Sequence, residues 1–263
     1  MTYLDRIVAW HRDRAANDAR DTSRLLDEAR AVAHNRQPDR FASALVAGTT
    51  LNVIAEIKRR SPSRGDIAPR LSPRDIADDY RRGGAAALSV LTDQPHFGGS
   101  VADLVEARTT TNLPILRKDF TVDSRDVLDA CIMGADAVLL IVAALSDDEL
   151  SRFIGLATEL RLGALIEVHD EVELRRGLAA GARMVGVNQR NLKTFEVDTS
   201  LATRIGTLIP AGIVAIAESG ITGVDDAQRC AAAGYRAVLV GEHLVRSTER
   251  QAALRELRVA LPS

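Results

Sequence analysis

Aromatic residues are scarce in this 263-residue chain, and neither sign of charge is in clear excess. Phe, Trp and Tyr make up 3% of the residues, and 34 basic residues face 36 acidic ones, for a net charge of −2. A dedicated nucleic-acid binder would carry a basic excess and aromatic stacking surfaces, so we expect no nucleic-acid partner. The remaining composition, 46% hydrophobic and 27% charged, is that of an ordinary globular protein.

Long hydrophobic runs and cysteines are also lacking. No window approaches the roughly eighteen uninterrupted apolar residues of a spanning helix, and charges interrupt the N-terminal stretch "MTYLDRIVAWHRDRAAND" throughout. We therefore expect neither a signal peptide nor a membrane partner. The two cysteines, Cys131 and Cys230, lie in segments with helical patterning, and we expect both to be reduced core residues of a cytoplasmic protein.

Several catalytic signatures are missing as well. The five histidines form no H-x-H or H-E-x-x-H pattern, which gives a metal site little support. The chain contains no G-x-S-x-G, Walker A or G-x-G-x-x-G sequence. We expect chemistry without a metal and without a cofactor.

Eight short apolar runs follow a helical leader that occupies the first fifty residues. The runs cover residues 51–58, 86–92, 114–120, 137–143, 164–168, 184–188, 213–219 and 237–241. Their ends are spaced by about 26 residues on average, which fits one strand, one loop and one helix per unit. Because each run is followed by an amphipathic stretch, the pattern predicts an α/β protein, a (β/α)8 TIM barrel.

The predicted helices occupy residues 73–82, 100–109, 124–132, 147–161, 170–180, 198–207, 222–233 and 248–260. Ser72, Ser146 and Thr222 are the predicted N-terminal caps. We expect one domain, with residues 1–50 as an N-terminal helical extension and residues 51–263 as the barrel. An open doubly wound sheet is the alternative, but no glycine-rich nucleotide-binding turn follows the first run.

Polar side chains close five of the eight runs. In a barrel of this kind, inward-facing groups at the C-terminal ends of the strands form the active site. The candidates are Glu56, Lys58, Lys118, Glu167, Asn188, Glu218 and Ser219. Any one of them alone is typical of a solvated loop residue. Together they predict a cluster of carboxylates and ammonium groups suited to general acid and base catalysis.

The loops after the last two strands give a second signal. Gly220 follows the seventh strand, and Gly241 with Glu242 begins a short extra helix after the eighth. Backbone N–H groups in these two loops form the usual phosphate site of a barrel, so we expect a phosphorylated small molecule as the substrate. Either glycine could instead be a simple turn residue.

With lysine and glutamate at these strand ends, the chain resembles the indole-3-glycerol-phosphate synthase family. The resemblance rests on "IAEIKRRSPSRG", "LSVLTDQPHFGGS", "LPILRKDFTVD", "ALIEVHDEVEL", "VGVNQRNLKTFEVD" and "AESGIT", which occur in family order from the leader to about residue 247. It implies a carboxy-lyase of tryptophan biosynthesis. The implied substrate is 1-(2-carboxyphenylamino)-1-deoxyribulose 5-phosphate, and the implied products are indole-3-glycerol phosphate, carbon dioxide and water.

The resemblance also implies roles for individual residues. Lys118 matches the general acid of ring closure, Glu167 a proton-transfer group in the dehydration, and Lys58 a lysine that holds an anionic group, with Glu56 beside it. The other matched residues are Asn188 and Ser219 for positioning, Glu218 as an active-site carboxylate, Ser61 and Arg190 near the substrate carboxylate, Phe97 and Phe120 lining the anthranilate pocket, and Gly220 and Gly241 in the phosphate loops.

Departures from the family pattern occur at Arg60, Gln189 and Glu242, and none removes a catalytic group. We expect the side chain of Glu242 to turn away from the phosphate. In the first loop, Ser61 and either Arg60 or Arg64 are expected to meet an anionic substrate, whereas Arg59 is expected to be solvated.

Two rival interpretations remain open from the sequence. One is phosphoribosylanthranilate isomerase, a neighbouring barrel enzyme, against which the leader and the Lys118/Glu167 pair argue. The other is a non-catalytic relative that only binds a phosphorylated ligand. We expect a monomer, with a weak dimer as the alternative.

Overall fold

Eight parallel strands form a closed barrel in the computed structural model, which describes residues 2–61, 65–191 and 194–262. In chain order, the first to eighth strands are Asn52–Ile57, Ala87–Leu91, Ile115–Lys118, Ala137–Ile141, Gly163–Val168, Met184–Asn188, Val214–Glu218 and Ala237–Val240. The first strand closes the ring, because it pairs with the second (Ile54 opposite Ala87) and with the eighth (Asn52 opposite Ala237). The predicted (β/α)8 barrel is confirmed.

The strands are continuous apolar runs because both of their faces are buried. In the fourth strand, Val138 and Leu140 pack in the layer between barrel and helices, while Leu139 and Ile141 point into the barrel interior. This alternation brings every second side chain of a strand inside, so a polar residue in step at the strand's end faces the cavity above.

Helices surround the barrel close to the predicted positions. They are Pro73–Gly83, Val101–Thr110, Ser124–Ile132, Asp147–Glu159, Glu171–Ala179, Ser200–Gly206, Val224–Ala232 and Arg250–Glu256. Shorter elements are the helices Gln94–Phe97 and Glu242–Arg246, a 3-10 turn at Val142–Ala144, and a hairpin that pairs Arg60–Ser61 with Gly65–Asp66.

Two of the three predicted caps are confirmed. The hydroxyl groups of Ser72 and Ser146 accept hydrogen bonds from backbone N–H groups three residues on. The prediction for Thr222 was wrong: Gly223 is the N-cap, and the backbone N–H and hydroxyl of Thr222 both donate to the carboxylate of Asp226. The hydroxyl group of Thr222 is thus bound to Asp226 and does not cap the helix.

The N-terminal extension consists of the helices Tyr3–Ala16, Thr22–His34 and Arg40–Val46. Phe41 and Leu45 on its third helix are fully buried in the core of the barrel interior, next to the first strand. Leu4 and Ile7 on its first helix belong to the same interior core, and that helix reaches the loop after the second strand. The extension therefore contributes to the barrel core.

Cys131 and Cys230 are both buried and free, as predicted. Within residues 2–61, 65–191 and 194–262, no helix has the length and apolar character needed to cross a membrane.

Candidate active site

A cavity of about 800 Å³ opens at the C-terminal ends of the strands. All fourteen candidate residues line it: Glu56, Lys58, Ser61, Phe97, Lys118, Phe120, Glu167, Asn188, Arg190, Glu218, Ser219, Gly220, Gly241 and Glu242. The strand-end pattern therefore corresponds to one continuous surface, at the position where barrel enzymes carry out their chemistry.

Lys118 is the centre of the charged groups. Its Nζ atom donates to Oε2 of Glu167 at 2.6 Å and to Oε2 of Glu218 at 2.7 Å. Burial by itself favours the neutral amine, but the two carboxylates outweigh it and raise the pKa of Lys118 above its usual value. The free site therefore holds an ammonium ion between two carboxyl groups.

The two carboxyl groups differ in their ionisation. Burial opposes charge on both, but Lys118 and His169 lower the pKa of Glu167 below its usual range. Burial raises the pKa of Glu218 to about 7, against the attraction of Lys118 and with added repulsion from Glu167. Glu167 is thus a carboxylate at neutral pH, while Glu218 exchanges a proton in that range.

His169 contributes a second positive charge beside Glu167. Its Nδ1 atom bonds Oε2 of Glu173 at 3.0 Å, and its Nε2 atom lies 3.5 Å from Oε1 of Glu167. Burial alone would lower the pKa of His169, but the two carboxylates raise it to about 10. The motif "EVH", with side chains in step two apart, was the available signal for this residue.

Glu56 and Lys58, at the end of the first strand, form an ion pair in the same cavity. Nζ of Lys58 lies 2.5 Å from Oε1 of Glu56, and the two side chains are 18% and 4% exposed. The ammonium group therefore reaches the cavity while the carboxylate lies beneath it.

Asn188 connects Glu167 to the loop after the seventh strand. Its Nδ2 donates to Oε1 of Glu167 at 3.1 Å, and its Oδ1 accepts from Oγ of Ser219 at 2.8 Å and from the backbone N–H of Arg190 at 3.1 Å. Ser219 has a φ of 64°, a conformation that is uncommon outside glycine. Nε2 of Gln189 donates to the Ser219 carbonyl at 2.7 Å and helps to hold this turn.

Two glycines leave room for the carboxylates. A Cβ atom on Gly186 would lie 2.0 Å from Oε1 of Glu218, and one on Gly241 would lie 2.4 Å from Oε1 of Glu56. Gly241, predicted as a phosphate-loop residue, thus also borders the charged cluster. Gly186 was missed because a glycine inside a strand gives no sign of which side chain occupies the space beside it.

Apolar side chains form another wall of the cavity. The rings of Phe97 and Phe120 lie 6.1 Å apart and are tilted by 38°. Leu139, Ile141 and Phe195, which the sequence did not single out, also line the cavity. This wall suits a flat aromatic ring.

The loops after the seventh and eighth strands form a further part of the rim. Gly220 has a φ of 72°, and Glu242 begins the short helix as predicted. Oε1 of Glu242 lies 3.4 Å from Nε of Arg246, whose own side chain is 54% exposed. The carboxylate thus has a cationic neighbour in the same helix.

Two of the arginines of the first loop are held by the protein itself. Arg59, expected to be solvated, forms an ion pair with Asp103 and donates to the carbonyl of Leu71 at 3.2 Å, so that expectation was wrong. Arg60 donates to the carbonyls of Gln94 and Pro95. Arg64 lies outside the described residues.

Comparisons with known proteins identify relatives over nearly the whole chain. A family model described as indole-3-glycerol phosphate synthase matches residues 4–257. Proteins of that name from a Nocardioides species and from Paenarthrobacter aurescens are 48% and 44% identical, over 98% and 99% of this chain and 98% and 97% of their own length.

Among solved structures, thiamine phosphate pyrophosphorylase from Pyrococcus furiosus matches with a TM-score of 0.59 and 18% identity, covering 79% of this chain and 93% of that one. At that identity the likeness concerns the barrel fold alone.

Proposed function

The chain belongs to the indole-3-glycerol phosphate synthase family, and from this premise we propose how the residues around Lys118 carry out its reaction. The reaction converts 1-(2-carboxyphenylamino)-1-deoxyribulose 5-phosphate to indole-3-glycerol phosphate, carbon dioxide and water. The observation that carries the proposal is the ammonium of Lys118 within 2.7 Å of two carboxyl groups that differ in pKa. Neither rival interpretation accounts for family membership together with an intact charged cluster.

The substrate is anionic at both ends, and we propose that it spans the cavity. Its phosphate would bind the backbone N–H groups near Gly220 and Gly241, with Arg246 at the same rim. The anthranilate ring would lie against Phe97 and Phe120. Ser61 and Arg190 would then hold the carboxylate, and Lys58 a further anionic group of the substrate.

Ring closure requires an electrophilic carbonyl. The aromatic carbon that bears the carboxylate attacks the ribulose carbonyl carbon, and Lys118 donates a proton to the carbonyl oxygen. Glu218 supports this step because, once protonated, it no longer attracts the ammonium and Lys118 releases its proton more readily. General acid catalysis of this kind contributes about 10² to 10⁴ in rate.

Three bonds then break to complete the indole. Loss of carbon dioxide returns the electrons of its C–C bond to the ring. Lys118, protonated again from solvent, gives a proton to the hydroxyl group formed during closure, which departs as water. Glu167, ionised beside Lys118 and His169, accepts the proton that the new ring must lose. Asn188 holds that carboxylate in place, Ser219 holds Asn188, and Glu56 positions Lys58.

The proposal is tested by following the fluorescence of indole-3-glycerol phosphate formed from the deoxyribulose phosphate substrate. Wild-type protein is expected to form product. Lys118→Ala should lower turnover at least about a hundredfold while the fold and phosphate binding survive. Near-wild-type turnover in that variant would refute the acid assignment, and no product from well-folded wild type would favour a binding protein.

We also propose that the protein is a cytoplasmic monomer with a single barrel domain. Two buried free cysteines fit a reducing compartment. Light scattering coupled to size-exclusion chromatography should give the mass of one chain, 28.3 kDa. A mass of two chains at micromolar concentration would establish the dimer instead.

A further inference from the structure

A second group of chemically active side chains lies behind the aromatic wall. His11 on the first helix meets Asp93 and His96 in the loop after the second strand. Nε2 of His11 lies 2.8 Å from Oδ2 of Asp93, and Nδ1 of His96 lies 3.0 Å from the same oxygen. One nitrogen or oxygen atom of each residue lies within 4.8 Å of the other two.

The group is built into the protein interior. His11 and Asp93 are each 2% exposed, while the His96 side chain is 18% exposed and leaves a route from solvent. Asp119 lies further off, with Oδ1 3.9 Å from Nε2 of His11, and its carboxylate is bound by Arg117, Thr92 and the backbone N–H of Phe120. Three potential ligands thus converge from the first helix and the loop after the second strand.

The loop orients Asp93 for this arrangement. Asp93 caps the short helix Gln94–Phe97, and its Oδ1 accepts the backbone N–H groups of His96 and Phe97. With Oδ1 fixed, Oδ2 points at the two imidazoles.

We propose that His11, Asp93 and His96 bind a divalent transition-metal ion, zinc above all, with water as the fourth ligand. Two imidazoles and a carboxylate oxygen are a donor set that zinc takes in tetrahedral sites, whereas magnesium and calcium prefer all-oxygen sites. Binding replaces the contacts of the two imidazoles with Asp93 by bonds from their nitrogen lone pairs to the metal, and any proton on those nitrogens leaves to solvent.

The position of the site links the extension to the cavity. The ring of His11 lies 5.3 Å from that of Phe120, and His96 directly precedes Phe97. A bound ion would hold the first helix against the loop that carries one of the two phenylalanines. Metal binding can be tested independently of the proposed catalytic roles, because the ion would contact none of the groups assigned to proton transfer.

The test is titration of chelator-treated protein with zinc chloride by isothermal calorimetry. We expect one ion per chain with a Kd below about 10 μM. His96→Asn should weaken binding at least about a hundredfold, since loss of outer-shell partners alone costs about 10- to 100-fold in such sites. His34→Asn is the matched control, because His34 is exposed at the end of the second helix.

Cobalt provides a readout independent of heat and of activity. Wild-type protein with cobalt chloride should show the intense visible bands of tetrahedral cobalt, and His96→Asn should lose them with its circular dichroism unchanged. Because the His96 side chain is partly exposed, this variant avoids the folding risk of changing buried His11. Absence of binding to wild type, or equal affinity in wild type and His96→Asn, would overturn the proposal.

Discussion

Replacement of Lys118 by methionine should make the stability of the protein depend on pH in a new way. Methionine keeps much of the side-chain volume but removes the ammonium that separates Glu167 from Glu218. Breaking a buried ion pair by removing one partner costs about 3–5 kcal/mol when the remaining charge cannot be compensated. Here the carboxyl groups can lower that cost by taking up protons.

The sign of the pH effect follows from the pKa values. In the wild type, the lowered pKa of Glu167 stabilises the fold at pH values above its unfolded value, and this contribution is lost only in acid. In the variant, burial and mutual repulsion raise the pKa values of Glu167 and Glu218. A carboxyl group with a raised pKa stabilises the folded state at low pH, and this stabilisation is lost as the pH increases towards that pKa. Each pH unit over which one carboxyl group stays protonated only in the folded variant costs about 1.4 kcal/mol.

For Glu167, which is ionised in the wild type throughout this range, the deficit in the free energy of unfolding of the variant should therefore grow by up to about 4 kcal/mol between pH 5 and pH 8. Urea unfolding of both proteins at the two pH values measures it. Arg30→Met is the control, since Arg30 pairs with Glu159 where both side chains are about half exposed, and such a pair contributes about 0–1 kcal/mol. An equal deficit at pH 5 and pH 8 would refute the electrostatic account of the cluster.

Three further predictions concern the same site. Deprotonated Glu218 holds the Lys118 proton more tightly, so turnover should fall as pH rises through about 7. Glu218→Gln should abolish this fall in the pH–rate profile, and a fall that persists in the variant would assign it to another group. Gly186→Ala places a Cβ atom against Glu218 and should lower turnover about a hundredfold, because displacing a catalytic group by about 1 Å has an effect of that size. The control Gly155→Ala, with no heavy atom within 4 Å of the new Cβ, should keep wild-type turnover, and similar rates in the two variants would contradict the steric explanation. Gln189→Ala removes the side chain that donates to the Ser219 carbonyl and should lower the free energy of unfolding in urea by about 1–3 kcal/mol. The control Gln228→Ala, at an exposed position, should lower it less, and equal losses would contradict the supporting role of Gln189.

The sequence alone determined the barrel and the charged and amide side chains at its strand ends. Strand and helix periodicities are local properties, so eight apolar runs with helices between them could be recognised without any contact map. The alternation of side chains along a strand then selected residues such as Glu56 and Glu167 as inward-facing. The cap at Gly223 in place of Thr222 was missed because the hydroxyl group of Thr222 donates to the carboxylate of Asp226, a contact that the sequence does not indicate.

Only the tertiary structure decided which groups meet. Lys118 contacts carboxyl groups 49 and 100 residues away, and these contacts separate the pKa values of Glu167 and Glu218. His11 reaches Asp93 across 82 residues, although no histidine spacing indicated a site. Ionisation, steric room and ligand geometry depend on distances between residues remote in the chain, and those distances arise only when the barrel closes.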